Sequence, residues 1–388
     1  MNGYRLRTCV LTGILLGTLG AACTPEPIFP NEDELDVLRS LHTPLRRPQP
    51  DPSNRFADDA RAASLGKKLF EDPKLSGCGT VSCASCHLGH LGGTVDTPVA
   101  AGCNGNYTGR NPPTVLNVAY SNWFMWDGRA DRLWNQAILP LLSPKEMASD
   151  ATLLSGRLTE GYLDEYHKLF GKLPAEEDPN VLLANFGKAI AAFERTLVRV
   201  DAPFDQDVIR FLQAVDAGTE EKDPAYLGLK VLVRKGQCTA CHKGTMLADD
   251  LFHNVGVKDF SDSKRGVAEG GPAMLAWEFN SQGAYSDRRG GEEAARLDRL
   301  RNDLLSKAEE LEGAYKTPTL RNIALTAPYM HTGELATLED VVDLYDQGGE
   351  PHGEYAGHVS QTIRKLDLTD QEKRALVELL RSMTGAEP

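Results

Sequence analysis

Apolar residues recur along this chain at helical spacing. Phe186, Ile190, Phe193 and Leu197 fall at i, i+4, i+7 and i+11, which predicts a core helix over 181–200. Leu65 and Leu69 mark one face of a helix over 58–70, and Pro73 ends it. Leu376, Leu379, Leu380 and Met383 form a C-terminal stripe, with Thr369 and Glu372 as its capping box and Gly385 as its stop. Leu297, Leu300, Leu304 and Leu311 give a charged helix one narrow seam, suited to lying against the protein body or to binding a partner. Shorter helices are expected at 32–41 and 226–232. Between them, 88–110 is a Gly- and Thr-rich loop, 203–224 reads as a linker, and 246–313 is a long excursion with Gly-rich turns. The pattern predicts an all-α fold.

Two short strings change the picture. Cys83-Ala84-Ser85-Cys86-His87 is echoed by Cys238-Thr239-Ala240-Cys241-His242. Two cysteines three apart, with histidine next, form the attachment motif of a c-type haem. The thiols form thioethers to the haem vinyls, and the imidazole faces the iron. A CxxC alone also serves a redox dithiol or half a zinc site. The trailing histidine and the second copy point to two covalently bound haem c groups.

The 388 residues suit two haem domains at roughly 100–200 residues each. The expected division is 1–22 signal peptide, 23–52 tether, 53–215 N-terminal haem domain and 216–388 C-terminal haem domain. Arg5 and Arg7 precede an apolar run over 10–22, shorter than the ~20 residues of a spanning helix, which reads as a secretory signal. A formal charge of -13 argues against nucleic acid and anionic membrane surfaces as partners. Of eight cysteines, Cys9 leaves with the signal and four hold haem. If Cys78 and Cys103 pair in an oxidising compartment, Cys23 is the odd thiol, and lipidation at a bacterial lipoprotein site accounts for it. Simple signal cleavage is the alternative.

A second repetition distinguishes the two irons. Pro113-Thr114-Val115-Leu116-Asn117-Val118-Ala119 matches Pro318-Thr319-Leu320-Arg321-Asn322-Ile323-Ala324 at an offset of 205, and Gly128 and Leu133 then fall on Gly333 and Leu338. The haem motifs are offset by 155, so the extra length sits in the excursion. In this register Trp126 pairs with His331, and Pro140 with Tyr345. Proline cannot ligate iron and a phenol can, which implies one open, reactive haem and one closed, electron-handling haem. Tyr345 also reads as an ordinary half-buried tyrosine, with Met274 and Met330 as other donors. Gln136 and Glu146 flank Pro140, where a carboxyl could move protons on a bound peroxide. A glutamate after Ser-Pro-Lys is equally a first-turn residue favoured by the helix dipole.

At these residues the chain resembles the bacterial di-haem cytochrome c peroxidase family. Leu65-Gly66-Lys67-Lys68-Leu69-Phe70, Leu75-Ser76-Gly77, Arg110-Asn111-Pro112-Pro113-Thr114, Trp126-Asp127-Gly128-Arg129 and Lys316-Thr317-Pro318-Thr319-Leu320-Arg321-Asn322 carry the resemblance with the haem motifs, over 58–384. It implies two cytochrome c-like domains, a peroxidatic N-terminal haem and an electron-accepting C-terminal haem. It also implies an inter-haem tryptophan at Trp126 and distal Gln136 and Glu146. A calcium ion is implied on the Asn111 side chain and the Thr326 and Pro328 carbonyls, hard oxygens that suit it. Two features depart from the typical member. The only histidine between Leu88 and Arg110 is His90, too near His87 to reach the opposite haem face. The second haem's usual methionine is Tyr345, as in the branch that includes the methylamine dehydrogenase maturation enzyme.

The expected activity is therefore reduction of hydrogen peroxide at the His87 haem. Electrons would come through the His242 haem from a periplasmic c-type cytochrome or cupredoxin. Oxidation of aromatic side chains on a partner protein is the first alternative, and pure electron transfer the second. The expected location is the periplasm, with a possible lipid anchor at Cys23.

Overall fold

The computed structural model describes residues 29–42, 47–259, 265–350 and 354–385. The signal-like run and Cys23 lie outside these residues. Among the described residues no helix is long and apolar enough to cross a membrane.

Helices dominate, and they pack into two cores. Helix α1 (Glu32–Leu41) matches its expected span, with Asn31 and Glu34 closing a capping box. Helix α2 (Ala60–Glu71) starts on the side-chain cap of Asp59. The first haem motif forms a single turn, α3 (Cys83–Cys86). Two short segments follow, α4 (Leu133–Gln136) and α5 (Ile138–Leu142), then α6 (Ala151–Gly161) and α7 (Leu163–Phe170). The long core helix α8 spans Pro179–Glu194, so the 181–200 stripe runs past its end. Phe186 and Ile190 are fully buried, while Leu197 packs on the same core from the following turn. Gly66 explains how closely α2 crosses α8: a methyl there would stand 1.9 Å from the Ala189 carbonyl oxygen.

The 203–224 stretch is not a linker. It contains helix α9 (Pro203–Asp216), with proline at its first position and Phe204, Val208 and Phe211 buried. Those three residues repeat at helical spacing and meet α1. The expected free tether is likewise seated in part. Phe29 packs against Phe211 and Tyr226 at 5.9 and 5.7 Å between ring centroids, and Leu38 and Leu41 are fully buried. Arg234 grips Glu34 at 2.7 and 2.6 Å. Burying apolar surface on α9 offsets the entropy of ordering this stretch.

Helix α10 (Tyr226–Lys230) leads toward the second haem motif. Within the excursion, α11 (Val267–Ala276), α12 (Gly291–Ser306) and α13 (Ala308–Leu311) build a third, small core around Trp123, Val267, Met274, Leu297 and Leu300. The leucine seam thus faces the body, and Leu311 reaches it from α13. A two-residue ladder closes the excursion: β1 (Phe252–His253) pairs antiparallel with β2 (Tyr315–Lys316). Phe279 enters the first core, and the buried Asp131 carboxylate accepts the Ser281 amide. The excursion therefore straps across the first core.

Helices α14 (Leu338–Gln347) and α15 (Asp370–Ser382) complete the second core with α1, α9 and α10. The Thr369–Glu372 capping box forms. Helix α15 ends at a right-handed Met383, so Gly385 is not its left-handed cap. A methyl on Gly385 would come within 2.6 Å of the Asp201 carbonyl oxygen, so close approach is what needs glycine there.

The internal repeat is visible in the backbone. Phe124 bridges Ala130 as Tyr329 bridges Leu335, and Gly128 and Gly333 share left-handed φ values of 67° and 68°. Asn117 and Asn322 both adopt positive φ, and both side-chain amides donate to the Arg199 carbonyl, at 2.7 and 3.1 Å.

Candidate active site

Each CxxCH motif is a tight turn that presents its histidine to a cavity. The His87 amide donates to the Cys83 carbonyl at 3.0 Å, and the His242 amide to Cys238 at 2.8 Å. His87 Nδ1 lies 3.0 Å from the Gly93 carbonyl oxygen, and His242 Nδ1 lies 2.9 Å from that of Leu247. A carbonyl partner at Nδ1 fixes the tautomer and leaves Nε2 as the donor atom for a metal. Burial lowers both imidazole pKa values, which favours the neutral, ligating form.

None of the four motif cysteines is spent in a disulfide, which leaves each pair available for a haem. Cys83, Cys86 and His87 line a cavity of about 480 Å³; Cys238, Cys241 and His242 line one of about 270 Å³. Paired thiols, a neutral imidazole with a fixed tautomer and an adjoining cavity fit a haem c at each motif. Cys241, Asp249 and His253 lie close enough to form a metal triad. A thioether at Cys241 would commit its sulfur, leaving His253 Nε2 and Asp249 as a 3.0 Å pair, and the Asp249 hydrogen bond is the largest cause that raises the His253 pKa.

Pro140, Gln136 and Glu146 line the first cavity, and Tyr345 and Met330 line the second, which Gln136 also reaches. Met274 is fully buried in the third core and lines neither, which removes it as a donor. His90 is exposed. Gln136 Nε2 sits 3.9 Å from Met125 Sδ. Burial raises the Glu146 pKa, and nearby Arg129 opposes the rise.

The Glu146 loop is held from both sides of a disulfide. Cys78 and Cys103 are bonded, the Cys103 amide donates to the Glu146 carbonyl, and the Gly77 amide donates to Met147, both at 2.8 Å. Asn111, Thr326 and Pro328 line the second cavity together, and Asn111 Nδ2 is taken by the Thr97 carbonyl at 3.2 Å. The Asn111 side-chain oxygen is the atom suited to a cation.

Trp126 lines both cavities. Its indole N–H donates to the Asn111 carbonyl at 2.8 Å, and its own carbonyl accepts the Lys316 amide at 2.8 Å. The two repeat copies are thus stitched together at this residue.

Glu194 is a functional candidate that the apolar pattern hid. It ends α8, is 4 % exposed and lines both cavities. Its Oε2 has no hydrogen-bond partner among the described residues, and burial raises its pKa to about 8. The signal was a carboxyl closing the run Ala189-Ile190-Ala191-Ala192-Phe193. A second cluster joins Tyr315, Asp259 and His331 beside Trp126.

Residues 60–210 match the family model for di-haem cytochrome c peroxidase. The methylamine utilization protein MauG of Methylorubrum extorquens is 33% identical over 355 residues, covering 90% of this chain and 86% of that protein. The cytochrome c551 peroxidase of Pseudomonas aeruginosa is 29% identical, covering 92% and 88%. Among solved structures, a MauG-like protein associated with microbial copper homeostasis superposes with a TM-score of 0.62 at 29% identity, covering 88% and 95%. With the paired CxxCH turns and their cavities, these likenesses have one reading: the chain belongs to the di-haem cytochrome c peroxidase and MauG family.

Proposed function

We propose that this protein is a periplasmic, peroxide-dependent oxidoreductase that cleaves hydrogen peroxide in the His87 cavity and draws electrons from the His242 cavity through Trp126. The contrast between the equivalent positions Pro140 and Tyr345 carries this reading. Proline has no donor atom, so the face opposite His87 is left to a small ligand. The Tyr345 phenol lines the same cavity as His242 and would supply the further donor atom to a haem held there, closing it to small ligands. Two haem c groups, held by Cys83, Cys86 and His87 and by Cys238, Cys241 and His242, supply the redox chemistry.

Glu146 takes a proton from one peroxide oxygen and returns it to the other, so the leaving oxygen departs as water. A positioned acid–base group contributes on the order of 10²–10⁴-fold. Burial suits Glu146 to the task, because a pKa above the usual carboxylate range brings it closer to the working pH. The Gln136 amide orients the bound oxygens. Asn111, Thr326 and Pro328 hold a calcium ion where the two repeat copies meet.

The reductant is a small c-type cytochrome or cupredoxin, for which a basic patch would complement the charge of -13. Tyr345 favours a second reading, in which the oxidising equivalents pass to aromatic side chains of a partner protein. One experiment tests both: one equivalent of peroxide is added to the all-ferric holoprotein and absorption is followed. Spectral change without prior reduction is expected, and an unchanged spectrum overturns the open-haem reading. Rapid re-reduction by a small cytochrome indicates a peroxidase; a long-lived oxidised state that such donors discharge slowly indicates partner oxidation.

A further inference from the structure

Tyr315, in β2, is 8% exposed and lines the His242 cavity. Its ring stacks on His331 with 3.8 Å between centroids and 22° between planes. His331 in turn lies 6.3 Å from Trp126, edge to face, and Trp126 reaches both cavities. On the phenol side, the hydroxyl donates to Asp259 Oδ2, an atom of a carboxylate only 1% exposed. His331 Nε2 stands 3.3 Å from the same oxygen. The Arg110 guanidinium lies 5.0 Å from the Tyr315 ring centroid and is paired with Asp127 at 2.8 Å.

We infer that Tyr315 is a redox-active tyrosine: its electron leaves through His331 and Trp126 while its phenolic proton crosses to Asp259. This rests on the peroxide reading above, with hydrogen peroxide as the oxidant. Reduction of peroxide to two waters takes two electrons and two protons, and Tyr315 supplies one of the electrons. The O–H bond of Tyr315 breaks, an O–H bond forms on Asp259, and a neutral tyrosyl radical remains.

The chemistry follows from the surroundings. Burial pushes the Tyr315 phenol well above its ordinary range, so it is protonated at neutral pH. A buried phenol that lost only an electron would become a strongly acidic cation in a poorly solvating site. A carboxylate already accepting its hydrogen bond removes that cost within one short transfer. The stacked imidazole and the adjacent indole provide a continuous run of rings toward both cavities. A half-buried tyrosine–aspartate pair offers a control: Tyr162 donates to Asp72 at 2.9 Å, but neither residue lines either cavity.

The test is freeze-quench electron paramagnetic resonance of the holoprotein carrying ring-deuterated tyrosine, mixed with one equivalent of peroxide, with haem absorption recorded on the same samples. A tyrosyl signal is expected that disappears in Tyr315→Phe and persists in Tyr162→Phe. Asp259→Asn should slow its formation by on the order of 10²-fold, the low end of what a positioned base contributes. Haem spectral change without a tyrosyl signal, or a signal that survives Tyr315→Phe, overturns the inference. A purely structural Tyr315–Asp259 hydrogen bond gives that same negative result. A flash-generated ruthenium(III) polypyridyl oxidant, applied to the same holoproteins, separates this inference from the peroxide reading. If peroxide leaves the haem spectrum unchanged, that reading fails and the flash samples decide: a Tyr315-dependent signal upholds the inference, and its absence overturns it.

Discussion

Trp126 and His331 occupy the same position in the two copies of the repeat, and their rings meet 6.3 Å apart between the cavities. The Asn111 amide beside Trp126 donates to the His331 carbonyl at 3.0 Å, so the contact is held by backbone as well as by ring packing. The repeat thus places one aromatic residue from each copy at the junction of the two cavities. The functional difference proposed above rests on the next helix, at Pro140 and Tyr345.

Tyr345→Met tests that difference. A phenolate oxygen favours the oxidised metal and a thioether the reduced one, within the roughly 0.8 V range that axial ligands span. The substitution should raise the second haem's potential in a spectroelectrochemical titration and slow the direct reaction of the all-ferric protein with peroxide. An unchanged potential and spectrum would pass the ligand role to Met330, which lines the same cavity.

Glu146→Gln should keep both haems and lose on the order of 10²–10⁴-fold in peroxide turnover, because an amide cannot carry the proton. Steady-state turnover normalised to haem content measures this. Normal turnover at full haem content would remove Glu146 from the mechanism.

Glu194 gives the fold a pH dependence. Its carboxyl titrates near 4.5 when unfolded and about 8 when folded. Between those values the native state holds a proton that the unfolded state has lost. Its contribution to stability is therefore full below about pH 4.5 and falls as pH rises toward 8. Glu194→Gln carries no such titration. Melting temperatures of the holoproteins, measured from pH 5 to 8, should fall more steeply for wild type than for the variant; parallel curves would refute the assignment.

The Cys78–Cys103 disulfide closes a loop with a sequence separation of 25, for which chain entropy suggests roughly 3 kcal/mol of stabilisation. Replacing both cysteines with serine should lower the denaturation midpoint by a corresponding amount. It should also impair peroxide turnover, since Cys103 holds the Glu146 backbone. Alkylation of both residues in the denatured, unreduced wild type would show that the bond does not form.

Local chemistry made much of this protein legible in the sequence. A CxxCH turn requires only neighbouring residues, so both motifs and the haem c chemistry they imply were readable without a fold. The α1 span and the Thr369–Glu372 box were readable for the same reason: capping is settled within one helical turn. The repeat extended this reach, because equivalent residues in two copies face equivalent surroundings, and it singled out Pro140 against Tyr345 before any contact was known.

Tertiary structure decided what depends on distant partners. The 203–224 segment reads as a linker until α1 is available to cover Phe204, Val208 and Phe211. Glu194 looks like an ordinary helix terminus until the cavities close around it. Tyr315, Asp259 and His331 stand up to 72 residues apart, counted from Asp259 to His331, and no local periodicity links them. Their meeting needs the excursion to fold back through β1 and β2 onto the second copy of the repeat. Spacing along a chain reports the forces acting within a turn or two, whereas burial and proton sharing depend on which surfaces meet in three dimensions.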